Sequence, residues 1–373
     1  MNKVPNQSNI ELFGIIFYTG ILFFVAGLIS LDSGLSGLIL LCLGICAGGI
    51  FLFFQYGFAS GWRNFLENGN STALVAHFSL AALCAAVFIP AELWGIDATG
   101  SFAPISISLF IGSFIFGIGM QLANGCGSGV LFSFGAGSGR MMIALPFFIV
   151  GSVIGSLILP WALSVGSYDQ YIIGKDLSTG SRAILNIMLL GLAASTFYIW
   201  GKVRGQTISK GLITGTLIIA VLCVSIFIFS GHPWGITFGF TLWGAKLFNS
   251  LGAPISEFTF WTWSGPGKAL EESVLANTSS VMNVGMIIGA GIVASVSGQL
   301  KKTFWPARDQ LFAAAIGGLI MGIGARLAFG CNIGAFLAGT ASGSLHGWIW
   351  FVMAISGSWI GIKVRPYFGF KNG

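Results

Sequence analysis

Two cysteines lie at equivalent places in two similar glycine-rich segments of the chain. The segment Gly117–Gly129 reads GIGMQLANGCGSG and the segment Gly322–Gly334 reads GIGARLAFGCNIG, so eight of 13 positions are identical at a constant offset of 205 residues. The shared cysteines are Cys126 and Cys331. A thiol is small, polarisable and a weak hydrogen-bond donor, so it can contact a sulfur-bearing ligand without the hydration penalty of a fixed charge.

The repeated Gly-Cys-x-x-Gly pattern also has a purely structural interpretation, because small residues let membrane helices approach each other closely. The presence of cysteine at the same place in both copies favours a functional role slightly. In either copy, an apolar span ends at a glycine and a short helix follows the cysteine. The first N–H groups of such a helix, together with its dipole, suit an anion. The backbone around Gly127 and Asn332 is therefore the candidate contact for anionic oxygens.

Basic residues close to the cysteines are the next candidates. Arg326 lies five residues before Cys331 inside an apolar segment, where the other copy has Gln121. A charge within a membrane span is costly and usually faces the bundle interior or a cavity. Arg326 could attract an anion, cap the helix break or pair with a buried carboxylate. Three further cations flank short apolar segments, and either form positive mouths for an anion or simply follow from membrane topology: Arg63, Arg140 and Lys246.

The composition of the chain indicates a membrane protein. Hydrophobic residues make up 55% of the 373 residues and charged residues 8%, against about a quarter charged in soluble domains. The net charge of +6 comes from cations between apolar runs, so no nucleic-acid partner is expected. The sequence has no metal-ligand spacing and no ATP-binding or catalytic motif, so we expect no metal, no cofactor and no enzymatic activity. The remaining cysteines are interpreted as small core residues: Cys42, Cys46, Cys84 and Cys223.

Apolar windows divide the chain into membrane spans, each of which requires about 20 residues. Between the spans lie four shorter glycine-rich stretches, and irregular backbone at membrane depth persists only where it is buried or lines a cavity. We therefore predict an all-α, polytopic membrane helical bundle with about ten transmembrane helices and four short re-entrant or inner helices. The predicted spans are 12–31, 35–54, 73–93, 105–124, 142–163, 184–201, 211–230, 278–297, 311–330 and 346–364. The predicted inner segments are 57–68, 126–137, 235–250 and 332–342.

The distribution of cations predicts the orientation. With the N-terminus in the cytoplasm, twelve Lys and Arg residues lie on the cytoplasmic side and four on the other, as the positive-inside rule requires. Both termini are therefore predicted to be cytoplasmic. The helices before Cys126 and Cys331 then run in opposite directions, which defines an internal inverted repeat of the kind found in transporters. We assign residues 1–34 to an extra N-terminal helix, 35–205 to the first repeat and 206–373 to the second.

The four inner segments resemble those of a known family of membrane proteins. The most specific matches are GMQLANGCGSGVLF around Cys126 and GARLAFGCNIGAFLAGTASGSLHGW around Cys331. PWGITFGFTLWGAKL (Pro233–Leu247) and QYGFASGWRNFL (Gln55–Leu66) are similar to the other two segments. In these features, which cover about residues 35–364, the chain resembles the YeeE/YedE family of sulfur-transport membrane proteins, whose characterised branch takes up thiosulfate.

The resemblance implies a helical protein with four inner segments around an hourglass-like path, along which cysteines pass an anion by transient hydrogen bonds. Cys126 and Cys331 match two of the three cysteine positions of the family. The third position falls in the segment QYGFASGWR, where this chain has Ser60, or Ala59 with a different gap, in place of cysteine. The resemblance also implies a small soluble sulfurtransferase as a partner.

These observations lead to one hypothesis and two alternatives. The first is a permease or channel-like transporter of the cytoplasmic (inner) membrane, embedded in the lipid bilayer, that passes thiosulfate or a related small sulfur anion through a cysteine-lined constriction. The second is a membrane-embedded sulfur-relay or redox protein in which a cysteine carries a persulfide. The third is a structural membrane subunit, in which both cysteines can be replaced without a sulfur phenotype. The substrate-binding residues of the first hypothesis are Cys126, Cys331, Ser60, Gly127, Asn332 and Arg326.

Overall fold

The computed structural model describes residues 7–302 and 305–370 of the chain, with side chains for residues 11–300 and 305–370. The protein is an all-α, polytopic membrane bundle, as its composition predicts. In chain order the α-helices are α1 (Gln7–Asp32), α2 (Gly34–Phe53), α3 (Phe58–Asn68), α4 (Thr72–Phe88), α5 (Ile107–Ala123), α6 (Gly127–Gly135), α7 (Gly139–Val165), α8 (Thr179–Val203), α9 (Lys210–Ser230), α10 (Thr237–Ser250), α11 (Thr259–Thr262), α12 (Ser264–Glu271), α13 (Thr278–Val296), α14 (Arg308–Leu327), α15 (Ala338–Ala341) and α16 (Leu345–Val364).

Ten of these helices coincide with the ten predicted spans. Nine helical segments in the described part of the chain are long and apolar enough to cross a membrane. The remaining span is α4, an apolar helix of 17 residues. The helices that form the spans are α1, α2, α4, α5, α7, α8, α9, α13, α14 and α16.

The four predicted inner segments are also helical. They are α3, α6, α10 and a π-helix (Asn332–Leu337) that continues into α15. The π-helix arises because the carbonyl oxygen of Cys331 accepts hydrogen bonds from the N–H groups of both Ala335, at 2.8 Å, and Phe336, at 3.3 Å. The second copy of the repeat therefore begins its short helix with a wider turn than the α-helical first copy.

Equivalent helices of the two copies make equivalent contacts. A Cβ on Gly117 of α5 would overlap the carbonyl oxygen of Ala354 in α16, and a Cβ on Gly322 of α14 would overlap that of Phe148 in α7. Glycine at these two positions lets each helix pair approach within backbone contact, as small residues do at membrane interfaces. Each copy therefore packs its helix before the cysteine against the helix after the cysteine of the other copy.

The two helices that precede the cysteines run antiparallel. Gly112 of α5 faces Leu327 of α14, whereas Gly119 of α5 faces Gly317. The C-terminal ends of α5 and α14 therefore point to opposite sides of the bundle, as an inverted repeat requires. The division of the chain at residues 34 and 205 stays a prediction. In the bundle, α1 packs on α13 and α8 packs on α4.

Short elements connect the spans. Strands β1 (Pro104–Ser106) and β2 (Ser167–Gln170) pair antiparallel. Between α10 and α13, the short helices α11 and α12 bring Trp261 into the bundle, where its indole N–H donates to Ser156 Oγ at 3.2 Å. Five 3-10 helices complete the described chain: Ala91–Trp94, Ile255–Glu257, Val274–Ala276, Gln299–Lys302 and Arg365–Phe368.

Candidate functional site

The backbone adopts a left-handed φ two residues before both cysteines. Asn124 follows α5 with φ 62°, and Phe329 lies at the equivalent place after α14 with φ 61°. Left-handed φ values are uncommon for residues other than glycine, and a bulky phenylalanine there is an outlier. Such conformations persist only where the surrounding structure enforces them. The residue two positions before each cysteine therefore has the same left-handed φ although the side chains differ.

Cys126 caps the N-terminus of α6 inside the bundle. It is buried, and its Sγ accepts a hydrogen bond from the N–H group of Gly129 at 3.3 Å and lies 3.3 Å from Ser128 Oγ. The sulfur therefore occupies the place of an N-cap oxygen, at the positive end of the short helix. This position combines a polarisable sulfur with exposed helix N–H groups, which together can contact a ligand with both sulfur and oxygen atoms.

Cys331 lies next to the N-terminus of the other short helix. A Cβ built on Gly127 would lie 3.0 Å from Cys331 Sγ and 3.2 Å from its Cβ. The structure thus brings Cys331 and Gly127 together, so the two breaks meet inside the protein. Cys331 is fully buried, and a side chain at position 127 would require the Cys331 sulfur to shift by a few tenths of an ångström. This contact joins the two cysteine breaks.

Ser60 and Cys126 line one cavity. The cavity has a volume of about 200 Å³ and is also bordered by Ala59, Gly125 and Gly129. Ser60 is exposed at its opening, whereas Cys126 lies at its buried end. Two of the predicted site residues are therefore close neighbours, while Cys331 does not border this cavity. Cys331 is instead buried behind the N-terminus of α6.

Asn332 follows Cys331 at the start of the π-helix. It is fully buried, and neither its Nδ2 nor its Oδ1 has a hydrogen-bond partner among the described residues. Other buried polar atoms share this property, among them the indole nitrogen of Trp234 and the hydroxyl of Tyr56. A buried polar group without a partner costs about 1–3 kcal/mol. The sequence predicts a role for the backbone N–H group of Asn332, whereas in the structure its side-chain amide is the group without a partner among the described residues.

Arg326 projects from α14 toward a second cavity. Its Nε and Nη1 atoms are buried without a hydrogen-bond partner in the described chain, and its guanidinium carbon lies 5.3 Å from the ring centroid of Phe260 and 5.9 Å from that of Phe238. The cavity has a volume of about 460 Å³ and is also bordered by Lys268 and Glu272. No described carboxylate forms an ion pair with Arg326. The ion pair in this region joins Lys268 and Glu272. The guanidinium keeps donors free for a ligand.

Arg326 and Ser60 therefore border different cavities. Ser60 belongs to the cavity at the C-terminal end of α5, and Arg326 to the one at the C-terminal end of α14. Since α5 and α14 are antiparallel, these cavities open toward opposite sides of the bundle. The contact between Gly127 and Cys331 lies between the two copies. The predicted site residues thus lie in three places: at the two cavities and at the contact between the two copies.

Two interpretations of isolated residues change in the structure. Lys246 does not form a mouth, because its Nζ donates to the carbonyl oxygens of Leu270 at 2.7 Å and Glu272 at 2.5 Å and so caps the end of α12. Cys42 and Cys46 are exposed rather than core residues. Their spacing of four places both on one face of α2, whereas the opposite face packs on α13. Cys84 and Cys223 are buried, as predicted.

One residue near the site was not selected from the sequence. Arg365 is buried, and its Nη1 donates to Gln121 O at 2.5 Å and to Asn124 Oδ1 at 3.2 Å. In the sequence it is one of several cations after the last span, which topology alone explains. The only available signal was its position beside a proline that ends the span.

Comparisons with known proteins agree with this architecture. Thiosulfate transporter TsuA of Spirochaeta thermophila is 30% identical over 266 residues, which cover 67% of this chain and 74% of that protein. Thiosulfate transporter TsuA of Escherichia coli is 27% identical over 271 residues, 69% of this chain and 74% of that protein. Probable transporter YedE of Escherichia coli is 32% identical over 151 residues, 40% of this chain and 37% of that protein.

A family model described as sulphur transport matches residues 55–360, which are most of the chain and include α3 to α15 completely. The matched range holds both cysteine breaks and all four inner segments. The resemblance drawn from the cysteine segments is therefore confirmed. The chain belongs to the sulphur transport family, also called YeeE/YedE.

Proposed function

We propose that the protein is a transporter, not an enzyme, that passes thiosulfate or a closely related small sulfur anion across the cytoplasmic membrane. The observation that carries the proposal is the meeting of the two cysteine breaks, where Gly127 and Cys331 are in contact between cavities that open to opposite sides. Relatives that are named thiosulfate transporters support the choice of substrate.

In this proposal each half of the site contacts a different part of the anion. The thiols of Cys126 and Cys331 contact the terminal sulfur by weak hydrogen bonds, and the Ser60 hydroxyl supplies a third contact in place of a thiol. Oxygen atoms bind the N–H groups at the starts of α6 and the π-helix. The Asn332 amide, which lacks partners among the described residues, offers a donor at the same place.

Arg326 is proposed to attract the anion at the second mouth. Arg326 borders a cavity of about 460 Å³ beside aromatic rings, and two of its guanidinium nitrogens have no partner in the described chain. A cation in a partly enclosed site raises the local concentration of anions. The distribution of Lys and Arg supports an orientation with both termini in the cytoplasm, which places the Ser60 mouth on the cytoplasmic side and the Arg326 mouth outside. A soluble sulfurtransferase at the cytoplasmic mouth remains part of the proposal.

The test is uptake of labelled thiosulfate into proteoliposomes. We expect saturable uptake by the native protein and its loss in Cys126→Ser and Cys331→Ser. Cys42→Ser and Cys46→Ser are matched controls, because these cysteines are exposed on α2 and away from both cavities. Arg326→Gln should raise the KM of uptake while Arg326→Lys keeps it near the native value.

Other outcomes lead to the alternatives. Folded native protein with no uptake above protein-free liposomes would exclude thiosulfate as the substrate. Equal uptake by the two buried cysteine variants and the two controls would favour a structural role for the breaks. A persulfide detected by mass spectrometry on Cys126 or Cys331, without net flux, would favour a sulfur relay, which needs a reactive thiolate.

A further inference from the structure

Three arginines from different parts of the chain meet at the C-terminal end of α5. Asn124 Oδ1 accepts hydrogen bonds from Arg63 Nη1 at 2.5 Å and from Arg365 Nη1 at 3.2 Å. Arg140 lies near enough to both for the three positive charges to repel one another. We call Arg63, Arg140 and Arg365 the arginine cluster.

Stabilisation of a helix end explains only part of the arginine cluster. The bond from Arg365 Nη1 to Gln121 O, at 2.5 Å, is an ordinary contact of a cation with the last carbonyls of a helix. Arg140 makes no such contact, because its Nη2 donates to Gln310 Oε1 at 2.7 Å and its buried Nε has no partner in the described chain. A guanidinium carries five donors, so this arginine has donors to spare.

Within the described part of the chain, the charges of the arginine cluster are only partly balanced. Glu67 is the carboxylate whose charge acts on Arg63 and Arg365, and none of the three arginines forms an ion pair with a described carboxylate. Three positive charges and one negative charge leave two positive charges uncompensated. Like charges held close together in a medium of low dielectric constant are unfavourable. A bound dianion would neutralise the difference.

The position of the arginine cluster connects it to the cysteine site. Arg140 and Asn124 border a cavity of about 390 Å³. This cavity shares Gln55, Asn124, Phe132 and Ser133 with the 200 Å³ cavity of Cys126 and Ser60. The two cavities are therefore adjacent parts of one vestibule. An anion at the arginine cluster lies next to the entrance of the path, at the mouth opposite to Arg326.

The aromatic ring of Phe370 holds two of the arginines in place. The guanidinium carbon of Arg365 lies 4.1 Å from the ring centroid and that of Arg140 lies 4.9 Å from it. Phe370 is itself buried. Contact with one ring brings two cations to the same place without neutralising them. The site is therefore preorganised by apolar contact, and its charge is left for a ligand.

From these observations we infer that the arginine cluster binds a doubly charged oxyanion, of the class of thiosulfate and sulfate, and discriminates against singly charged anions such as hydrosulfide or nitrate. This inference rests on the proposed function, because it treats the arginine cluster as a binding site from which a dianion enters the path. Bidentate guanidinium contacts suit the oxygens of a tetrahedral anion. The cluster would then select charge, and the cysteines would select sulfur.

The test is equilibrium binding to the purified full-length protein in phosphatidylcholine nanodiscs. Labelled thiosulfate and labelled sulfate are titrated separately and then competed with nitrate. We expect the native protein to bind both dianions and nitrate to compete weakly. Arg140→Gln and Arg63→Gln should each weaken dianion binding by about tenfold, equal to about 1.4 kcal/mol. Lys202→Gln, an exposed cation with the same loss of charge, should change it by less than about twofold.

Variants at the cysteines separate this inference from the transport proposal. Cys126→Ser should lose uptake but keep binding at the arginine cluster, and sulfate binding can be measured even if the protein transports no thiosulfate. Arg365→Gln is less informative alone because Arg365 also caps α5. Arg140 bonds to a side chain of the neighbouring α14 rather than to a helix end, so Arg140→Gln keeps the test valid if Arg365→Gln fails to fold.

Three results would overturn the inference. The first is equal affinity of the native protein for nitrate and sulfate. The second is dianion binding in Arg63→Gln and Arg140→Gln that matches Lys202→Gln. The third concerns lipid, because a phosphate headgroup offers similar oxygens. If nanodiscs with phosphatidylglycerol abolish sulfate binding at physiological sulfate concentrations, the arginine cluster is a lipid site.

Discussion

The two copies of the cysteine segment turn at equivalent places but have different surroundings. In the first copy, Cys126 borders a cavity with Ser60, and the nearby arginines hydrogen-bond to protein groups. In the second copy, Cys331 is sealed, and Arg326 has buried donors without a partner in the described chain. The equal φ values of Asn124 and Phe329 show that the turn before the cysteine is shared, whereas the short helix after it is an α-helix in the first copy and a π-helix in the second.

The comparison indicates how a repeated frame can produce a path with two distinct ends. The two short helices begin at equivalent breaks, and their N-termini meet where Gly127 contacts Cys331. This contact therefore belongs to the part of the structure that the two copies share. Substitutions around each break then set the chemistry of each mouth independently. One mouth combines three cations with a hydroxyl and a thiol, whereas the other has Arg326 among aromatic rings beside the ion pair of Lys268 and Glu272. Changes at equivalent positions test this division.

The largest expected effect is at the contact that both copies share. Gly127→Val places a branched side chain where a Cβ already lies 3.0 Å from Cys331 Sγ. We expect thiosulfate uptake in proteoliposomes to fall to the level of protein-free vesicles. Gly127→Ala should keep part of the uptake, because one sulfur can shift by a few tenths of an ångström. Gly20→Val is the matched control, since Gly20 has open space around it. Native uptake by folded Gly127→Val would move the path away from this contact.

The next effect should be equal in the two copies, because it concerns the shared frame. Gly117→Ala and Gly322→Ala each direct a methyl group at a backbone carbonyl of a packed helix, Ala354 and Phe148 respectively. Overpacking of this kind costs about 1–3 kcal/mol, so both variants should lower the thermal unfolding midpoint by similar amounts. Gly191→Ala, with no neighbour within 4 Å, should leave it unchanged or raise it. Unequal losses would show that the two copies do not share their packing.

Much of the frame was predictable because the membrane restricts the choices. All ten spans and four inner segments follow from apolar length and glycine content, since backbone at membrane depth must be helical or buried. The meeting of the cysteine breaks follows from the repeat in the sequence. The surroundings of individual side chains are harder to predict, because hydropathy does not tell which face of α2 packs against other helices. The prediction that Cys42 and Cys46 are core residues is therefore wrong, since both are exposed.

The site was predictable only where the sequence repeats. Asn124 and Phe329 share a conformation but no chemical property, so no pattern shows that their backbones match. Arg365 lies beside Arg63 because it hydrogen-bonds to Gln121 and Asn124, which are some 240 residues away in the sequence. No local sequence signal reveals such a contact. Lys246 had the charge and position of a mouth residue, but its ammonium group caps a short helix that was not predicted.

A smaller effect separates function from stability within the second copy. Asn332 and Asn283 are both fully buried, but Asn283 Nδ2 donates to Ile236 O at 2.9 Å, whereas the Asn332 amide has no partner among the described residues. Asn283→Ala should lower the free energy of unfolding by about 1–3 kcal/mol. Asn332→Ala should leave it near the native value or raise it, while thiosulfate uptake falls several-fold. Equal destabilisation by both changes would mean that Asn332 is a structural residue.

The smallest effect is expected at the mouth of the first copy, where a hydroxyl stands in place of a thiol. Ser60→Cys keeps the size and the donor of the side chain but adds a polarisable sulfur opposite Cys126, across the same cavity. The uptake of thiosulfate relative to sulfate should rise by about two- to fivefold, less than about 1 kcal/mol, because only one contact of several changes. Ser60→Ala provides the comparison, since it removes the donor without adding sulfur. If Ser60→Cys and Ser60→Ala behave alike, position 60 does not recognise sulfur, and discrimination between the anions belongs to Cys126 and Cys331.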